Sequence, residues 1–277
     1  MQIARTLALA SLVLAGFSSV PLPARAETAT QTFAWPQGQQ AAISLAYDDA
    51  LDSQLDSAIP ALDKRGLKAT FYLQLSSPAV DRRLPEWRAA AANGHELGNH
   101  TLFHQCAKSK PDRDWVAAHR NLDGLTAAQM KDQVVMANTM LFAIDGKRER
   151  TFTVPCGDRE AAGQDYVDAI GPGFVAIKVG IGGVVEDMDT LDPYAVPVAV
   201  PVGVTGQQLI AIAKDAARKG TMANFTFHGV GGDHLSVSVE AHDQLLEYLA
   251  ANPDVYWVDT FLNQMKYVRA QQKQPPE

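Results

Sequence analysis

Strands alternating with helices along most of this 277-residue chain predict an α/β fold, a distorted (β/α) barrel of about seven βα units. Three observations carry the prediction. Short β-branched and aromatic runs recur, each followed by a stretch of helical spacing that glycine or Asn-Gly closes. Seven or so such units over about 240 residues suit a barrel better than an open sheet. Polar clusters follow the carboxyl ends of several strands, where such barrels place their sites.

The elements follow in order. Residues 42–47 (AISLAY) read as the first strand and 55–65 as a helix stopped by Gly66. Residues 68–73 (KATFYL) are a strand, and 84–92 a helix ended by Asn93-Gly94. The long helix 126–144 opens on Thr126-Ala127-Ala128-Gln129, a capping-box pattern, and stops at Asp145-Gly146. Then come a strand at 151–154, a helix at 164–170, a strand at 174–179 and a helix at 206–219 stopped by Gly220. A strand at 222–227, a helix at 239–251, a strand at 255–258 and a last helix to about residue 269 complete the series. No repeat, low-complexity segment or linker interrupts it, so residues 41–277 read as one domain.

Residues 1–26 differ from the rest. Arg5, the apolar run 7–20 and Ala24-Arg25-Ala26 form the pattern of a secretory signal peptide cut after Ala26. Residues 27–40 read as a loosely ordered polar lead-in. No later stretch is apolar enough to span a bilayer, so the expectation is an exported chain, periplasmic or secreted, with no membrane span after cleavage. Beyond residue 26 the chain carries 22 basic and 31 acidic residues. Such a surface argues against nucleic acid or anionic lipid as partner, and leaves a neutral polymer open. Cys106 and Cys156 either form a disulfide or remain two buried thiols.

Four clusters carry chemistry. Asp48-Asp49 follows the first strand; one carboxylate of such a pair can bind a metal while the other faces substrate. His100 and His104, four apart, can turn two imidazoles to one divalent cation. Pro155-Cys156-Gly157 follows the strand at 151–154. His228 ends the strand at 222–227 and enters a glycine-rich loop, Gly229-Val230-Gly231-Gly232-Asp233-His234. That loop lacks the spacing of a phosphate-binding loop. His95-Glu96 is not a zinc-protease motif, because residue 99 is Asn.

In this order the clusters resemble the NodB-like polysaccharide deacetylases, carbohydrate esterase family 4. Ala46-Tyr47-Asp48-Asp49 is similar to the family's Thr-Phe-Asp-Asp, and His100-Thr101-Leu102-Phe103-His104 matches its His-Ser/Thr-x-x-His. Thr153-Val154-Pro155-Cys156-Gly157 stands for Arg-x-Pro-Tyr-Gly, and Phe225-Thr226-Phe227-His228 for the last apolar strand ending in His. The resemblance spans roughly residues 40–265. It implies hydrolysis of acetyl groups, N-acetyl first, on a glycan such as chitin or peptidoglycan; O-acetyl xylan and a non-catalytic glycan binder are the alternatives. It implies Asp48 as base, His228 as acid, and Asp49, His100 and His104 as ligands of a divalent metal, zinc first, with cobalt or nickel possible. Cys156 would supply an oxyanion N–H, with Pro155, Tyr47 and His234 around the substrate. Two departures stand out. Thr153 replaces the arginine that holds the base, with Arg159 or Lys178 as substitute cations. The aspartate that tunes the catalytic histidine is sought among Asp187, Asp189 and Asp192, with Asp192 chosen. The sequence gives no reading of oligomeric state.

Overall fold

The structure, a computed structural model, describes residues 33–272. The expected signal peptide, 1–26, and the start of the lead-in lie outside the described residues. The expected barrel is present. Ten strands occur among the described residues: β1 Ala41–Asp48, β2 Thr70–Leu73, β3 Glu96–Asn99, β4 Thr151–Thr153, β5 Glu160–Ala161, β6 Gln164–Asp165, β7 Ala176–Ile181, β8 Val196–Val198, β9 Met222–Phe227 and β10 Tyr256–Asp259. The eight helices are α1 Ile59–Lys64, α2 Pro78–Arg82, α3 Leu84–Ala92, α4 Ala127–Asp145, α5 Tyr166–Ile170, α6 Gly206–Lys219, α7 Val239–Ala250 and α8 Phe261–Gln272.

The sheet runs β1-β2-β3-β4-β7-β8, all parallel, and β9 lies along the other edge of β1. Ala199, just past β8, bridges Phe225 of β9 and nearly closes the barrel. β10 pairs with the first half of β1, Ala41–Ser44, while β2 takes the second half, Ala46–Asp48. β5 and β6 form a separate two-residue hairpin, so the helix expected from 164 begins at Tyr166.

Strand alternation sorts the core. Ile43, Leu45 and Tyr47 of β1 join Phe71, Leu97, Phe225 and Phe227 in the layer beneath the helices. Ala42 and Ala46 face the barrel interior with Tyr72, Met222, Phe261 and Met265. α8 packs into the amino-terminal mouth of the barrel. Its first N–H groups donate to Thr70 Oγ1 (Phe261 N, 2.9 Å) and to Glu96 Oε2 (Leu262 N, 2.9 Å), which satisfies donors that a helix start leaves free. The capping box at Thr126 forms, and Gly146 closes α4 at φ 72°.

Besides the β5–β6 hairpin, two strands of the barrel sheet escape the sequence reading. β3 is Glu-Leu-Gly-Asn, with Gly98 required because a Cβ there would fall 2.3 Å from the Tyr72 ring. β8 is Val-Pro-Val, with Pro197 in mid-strand. The expected loose lead-in is also corrected over 33–40. Trp35 is buried in the interior cluster, its indole N–H donates to Gly220 O, and Tyr267 donates its hydroxyl to Ala34 O. Burying an indole favours folding by a few kcal/mol, enough to order a short polar segment.

Candidate metal centre

β1 ends at Asp48, and the chain turns off the strand through Asp49 (φ 80°) and Ala50 (φ 56°). These left-handed residues are costly outside glycine and mark a constrained turn. β3 delivers His100 one residue past its end. Asn99 Oδ1 accepts from Thr101 N (2.8 Å) and Thr101 Oγ1 accepts from His104 N (2.9 Å). Those two bonds fold the five-residue motif into a tight turn rather than a helix, with His104 at φ 51°.

The turn brings two imidazoles onto one carboxylate oxygen. His100 Nε2 lies 3.2 Å and His104 Nε2 3.1 Å from Asp49 Oδ1. One ligand atom from each residue lies within 4.8 Å of the others. Asp49 Oδ1 is buried and makes no well-directed hydrogen bond to either ring. His100 Nδ1 faces Thr153 O at 2.8 Å, and a carbonyl only accepts, so Nδ1 carries a proton and Nε2 is the atom left to ligate a metal once it is deprotonated. Two nitrogens and one carboxylate oxygen, converging and largely buried, could hold a divalent cation.

The remaining site residues surround this set. Asp48, buried, has Oδ2 at 3.8 Å from His100 Nε2, and its Oδ1 has no hydrogen-bond partner. His228 Nε2 lies 3.9 Å from Asp49 Oδ2, and its Nδ1 is unpartnered. His234, expected near substrate, donates from Nε2 to Asp49 Oδ2 at 2.7 Å. Cys156 is the second residue of the turn Pro155–Gly157, with φ 56°, so its N–H has no acceptor within the turn. Cys106 and Cys156 are joined in a disulfide, and Cys106 Sγ lies 3.6 Å from His104 Nδ1. The bridge ties the loop after the histidine motif to the Pro155–Gly157 turn. Asp158 reinforces it by accepting from Ala107 N (2.8 Å).

Electrostatics follow from burial. Burial pushes the Asp48 carboxyl up, the neighbouring Asp49 adds to this, and His100 and Lys178 oppose it. Burial alone would raise Asp49 too, but the hydrogen bond from His234 and the facing imidazoles of His100 and His104 hold it well below the usual range. His100 would be depressed by burial, yet facing Asp48 and Asp49 it rises to about 9. Cation binding must therefore displace a proton from it. His228 is pushed by burial to about 4.

Three expected residues are elsewhere. Tyr47 is fully buried on the helix side of β1, donating or accepting with His242 Nε2 at 2.6 Å and stacked on Phe71 and Phe227; it is core, not substrate wall. The reason is alternation, since the neighbour of an inward Asp48 must point outward. Asp192 is exposed and accepts from Tyr194 N, and His228 Nδ1 meets no carboxylate. Arg159 pairs with Asp165 and Asp168 beside the β5–β6 hairpin. Lys178 is the cation inside the barrel: fully buried, its ammonium donates to Ser44 Oγ at 3.0 Å, on the face of β1 that carries Asp48. Sequence reasoning missed Gln54. From a π-helical turn its amide donates to Asp48 O (2.5 Å) and His228 O (3.2 Å), joining the carboxyl ends of β1 and β9. A glutamine in a helical run carries no signal of that role.

Comparison with known proteins gives a consistent result. Residues 35–171 match the family model described as polysaccharide deacetylase. A curated gellan lyase from a Bacillus species is 26% identical over 139 residues, half of this chain, which spans only 5% of that protein. Among solved structures, a polysaccharide deacetylase described as putative, from Mycobacterium smegmatis, aligns at TM-score 0.58 and 14% identity, over 89% of this chain and 96% of that one. Peptidoglycan deacetylase PdaC from Bacillus subtilis aligns at 0.53 and 16%, over 86% and 96%. A CE4 family pseudoenzyme from Bacillus anthracis aligns at 0.53 and 17%, over 83% and 66%. At these identities the structures show the shared fold.

Proposed function

We propose that this chain, a divergent NodB-like relative in the polysaccharide deacetylase family, is a metal-dependent hydrolase that removes acetyl groups, N-acetyl first, from a glycan of the chitin or peptidoglycan kind. The observation that carries the reading is the convergence of Asp49 Oδ1, His100 Nε2 and His104 Nε2 beside a buried, half-unpaired Asp48 carboxylate. Asp49, His100 and His104 are the proposed ligands, with zinc favoured and cobalt or nickel next. When bound, a divalent cation there supplies Lewis-acid polarisation of the acetyl carbonyl and an activated water.

The chain's own groups do the rest. Asp48 accepts the proton of the attacking water. The Cys156 N–H donates to the oxygen that gains charge as the carbonyl carbon becomes tetrahedral. His228 hands a proton to the departing amine or alcohol as the C–N or C–O bond breaks. Burial keeps free His228 neutral at pH 7, so it takes that proton from solvent as negative charge develops beside it, and Asp48 afterwards returns the water's proton to solvent. Lys178 is the proposed stand-in for an arginine at Thr153. The proposed catalytic domain covers 41–277, extended by the packed residues 33–40, and the leader-like residues 1–26 support export.

A second reading, a glycan binder without turnover, is favoured by Thr153 and by the unpartnered Nδ1 of His228. Metal analysis paired with acetate release from N-acetylated chitooligosaccharides, peptidoglycan and acetylxylan separates the readings. Acetate from the first two supports N-deacetylation, and acetate from xylan alone makes the chain an O-acetyl esterase. Glycan binding with no acetate from any substrate makes it a binder.

A further inference from the structure

We infer that His234 is the outer partner of the metal-binding carboxylate, holding Asp49 by Oδ2 so that Oδ1 stays turned to His100 and His104. This rests on the metal-centre reading above. The His234 Nε2 contact at 2.7 Å is the shortest that Asp49 makes, and it falls on the oxygen the two ligand histidines do not use. His228, at 3.9 Å from the same oxygen, is too distant to hydrogen-bond it.

The loop between the two histidines is built to aim the second one. Gly229 N donates to His234 O, Gly231 N to Val237 O, and Val237 N back to Gly229 O, closing residues 229–237 on themselves. A Cβ at Gly229 would lie 2.0 Å from Gly232 O, so the closure requires glycine there. Asp233 and Leu235, on either side of His234, both take left-handed φ values, 61° and 47°. Asp233 Oδ2 accepts from Ser53 N at 2.9 Å, and Ser53 Oγ accepts from Val230 N. The loop is therefore stitched to Ser53, four residues after Asp49, by two hydrogen bonds, and His234 adds a third to Asp49 itself. The His234 side chain is 56% exposed, so packing does not account for this arrangement.

A carboxylate that binds through one oxygen otherwise turns freely about its last bond. Anchoring the second oxygen removes that freedom before the cation arrives. The test is zinc affinity, by competition with a chromogenic chelator, for wild type, His234→Ala and His234→Gln, with far-UV circular dichroism as the folding check and the cobalt(II) absorption spectrum of each. His234→Ala should weaken zinc binding by roughly 10- to 100-fold. His234→Gln, whose amide N–H can reach the same oxygen, should recover most of it. Cobalt band positions should be the same in all three. Unchanged affinity in His234→Ala overturns the inference. So does His234→Gln binding as weakly as His234→Ala, or a shifted cobalt spectrum, which would make His234 a direct ligand. Wild type that binds no metal is a distinct result and overturns the metal-centre reading itself.

Discussion

Lys178 of β7 stands directly opposite Thr153 of β4 in the parallel register. Lys178 thus puts a buried cation one strand over from Thr153, inside the barrel. Its ammonium lies above the rings of Phe261 (4.5 Å) and Tyr72 (5.7 Å) and has a single hydrogen-bond acceptor among the described residues, Ser44 Oγ. Burial pushes Lys178 down while Asp48 and Glu96 hold it up. The pair acts across a gap rather than as a direct salt bridge, in a medium where charge is poorly screened.

Lys178→Met should therefore move the acid limb of the rate–pH profile upward. Burial raises Asp48, and Lys178 is one of the groups that lower it. Without the ammonium the carboxyl keeps its proton to higher pH, and the base is ready only above that. Acetate release should fall more at pH 6 than at pH 8, with stability little changed, since an apolar side chain of similar length removes a buried charge. A profile with an unmoved acid limb would sink the assignment.

Asp48→Asn and His104→Ala should separate base from ligand. Asp48 Oδ1 is buried and free, so the amide fits its place but accepts no proton. Turnover should be lost by at least about 100-fold while zinc content stays near one per chain. His104→Ala removes one of three convergent donor atoms and should lose the metal itself. Zinc content and initial rates, measured on the same preparations, check both. Full metal occupancy in His104→Ala would refute its role.

Asp49, His100 and His104 were legible because strand ends and a four-residue spacing are local features of the chain. Tyr47 was misread although the signal was present: on a strand the residue beside an inward carboxylate faces out. β8 was illegible because Pro197 interrupts a three-residue strand, and β3 for a different reason. The barrel interior is part polar, with Glu96, Thr151, Lys178, Asn224 and Thr226 buried in it beside the apolar Tyr72, Met222 and Phe261. Strands facing it lose the apolar alternation that marks a half-buried strand. Gln54 and the Asp49 contact of His234 depend on a π-helical turn and a closed glycine loop, which no period in the sequence announces.

The Cys106–Cys156 bridge closes a loop of 50 residues that holds α4 and the Asn121 to Gly124 turn. Denatured, unreduced protein should show no free thiol. Cys106→Ala with Cys156→Ala should lower stability by about 2–4 kcal/mol, read as a lower urea midpoint. Because Cys106 Sγ sits against His104 Nδ1, the same variant should also bind zinc more weakly. Unchanged stability and zinc affinity would show that the bridge neither braces the fold nor supports the ligand.

His242 sets an acid limit on the fold that does not involve the metal. It is fully buried, bonded through Nε2 to Tyr47 Oη and packed edge-on to Phe227, and burial holds its imidazole to about 4. In the unfolded chain the ring titrates near 6.5. Between those values the unfolded chain binds the proton that the folded one refuses, so folding stability falls as pH drops from about 6.5 to about 4. The loss from this one group is a few kcal/mol. His242→Gln keeps a partner for Tyr47 and does not titrate. Urea midpoints at pH 7 and pH 4.5, taken with chelator present so that metal release adds no proton dependence of its own, should show wild type ahead at pH 7 and that lead shrinking or reversing at pH 4.5. A constant gap between the two proteins would mean that folding does not shift the titration of His242.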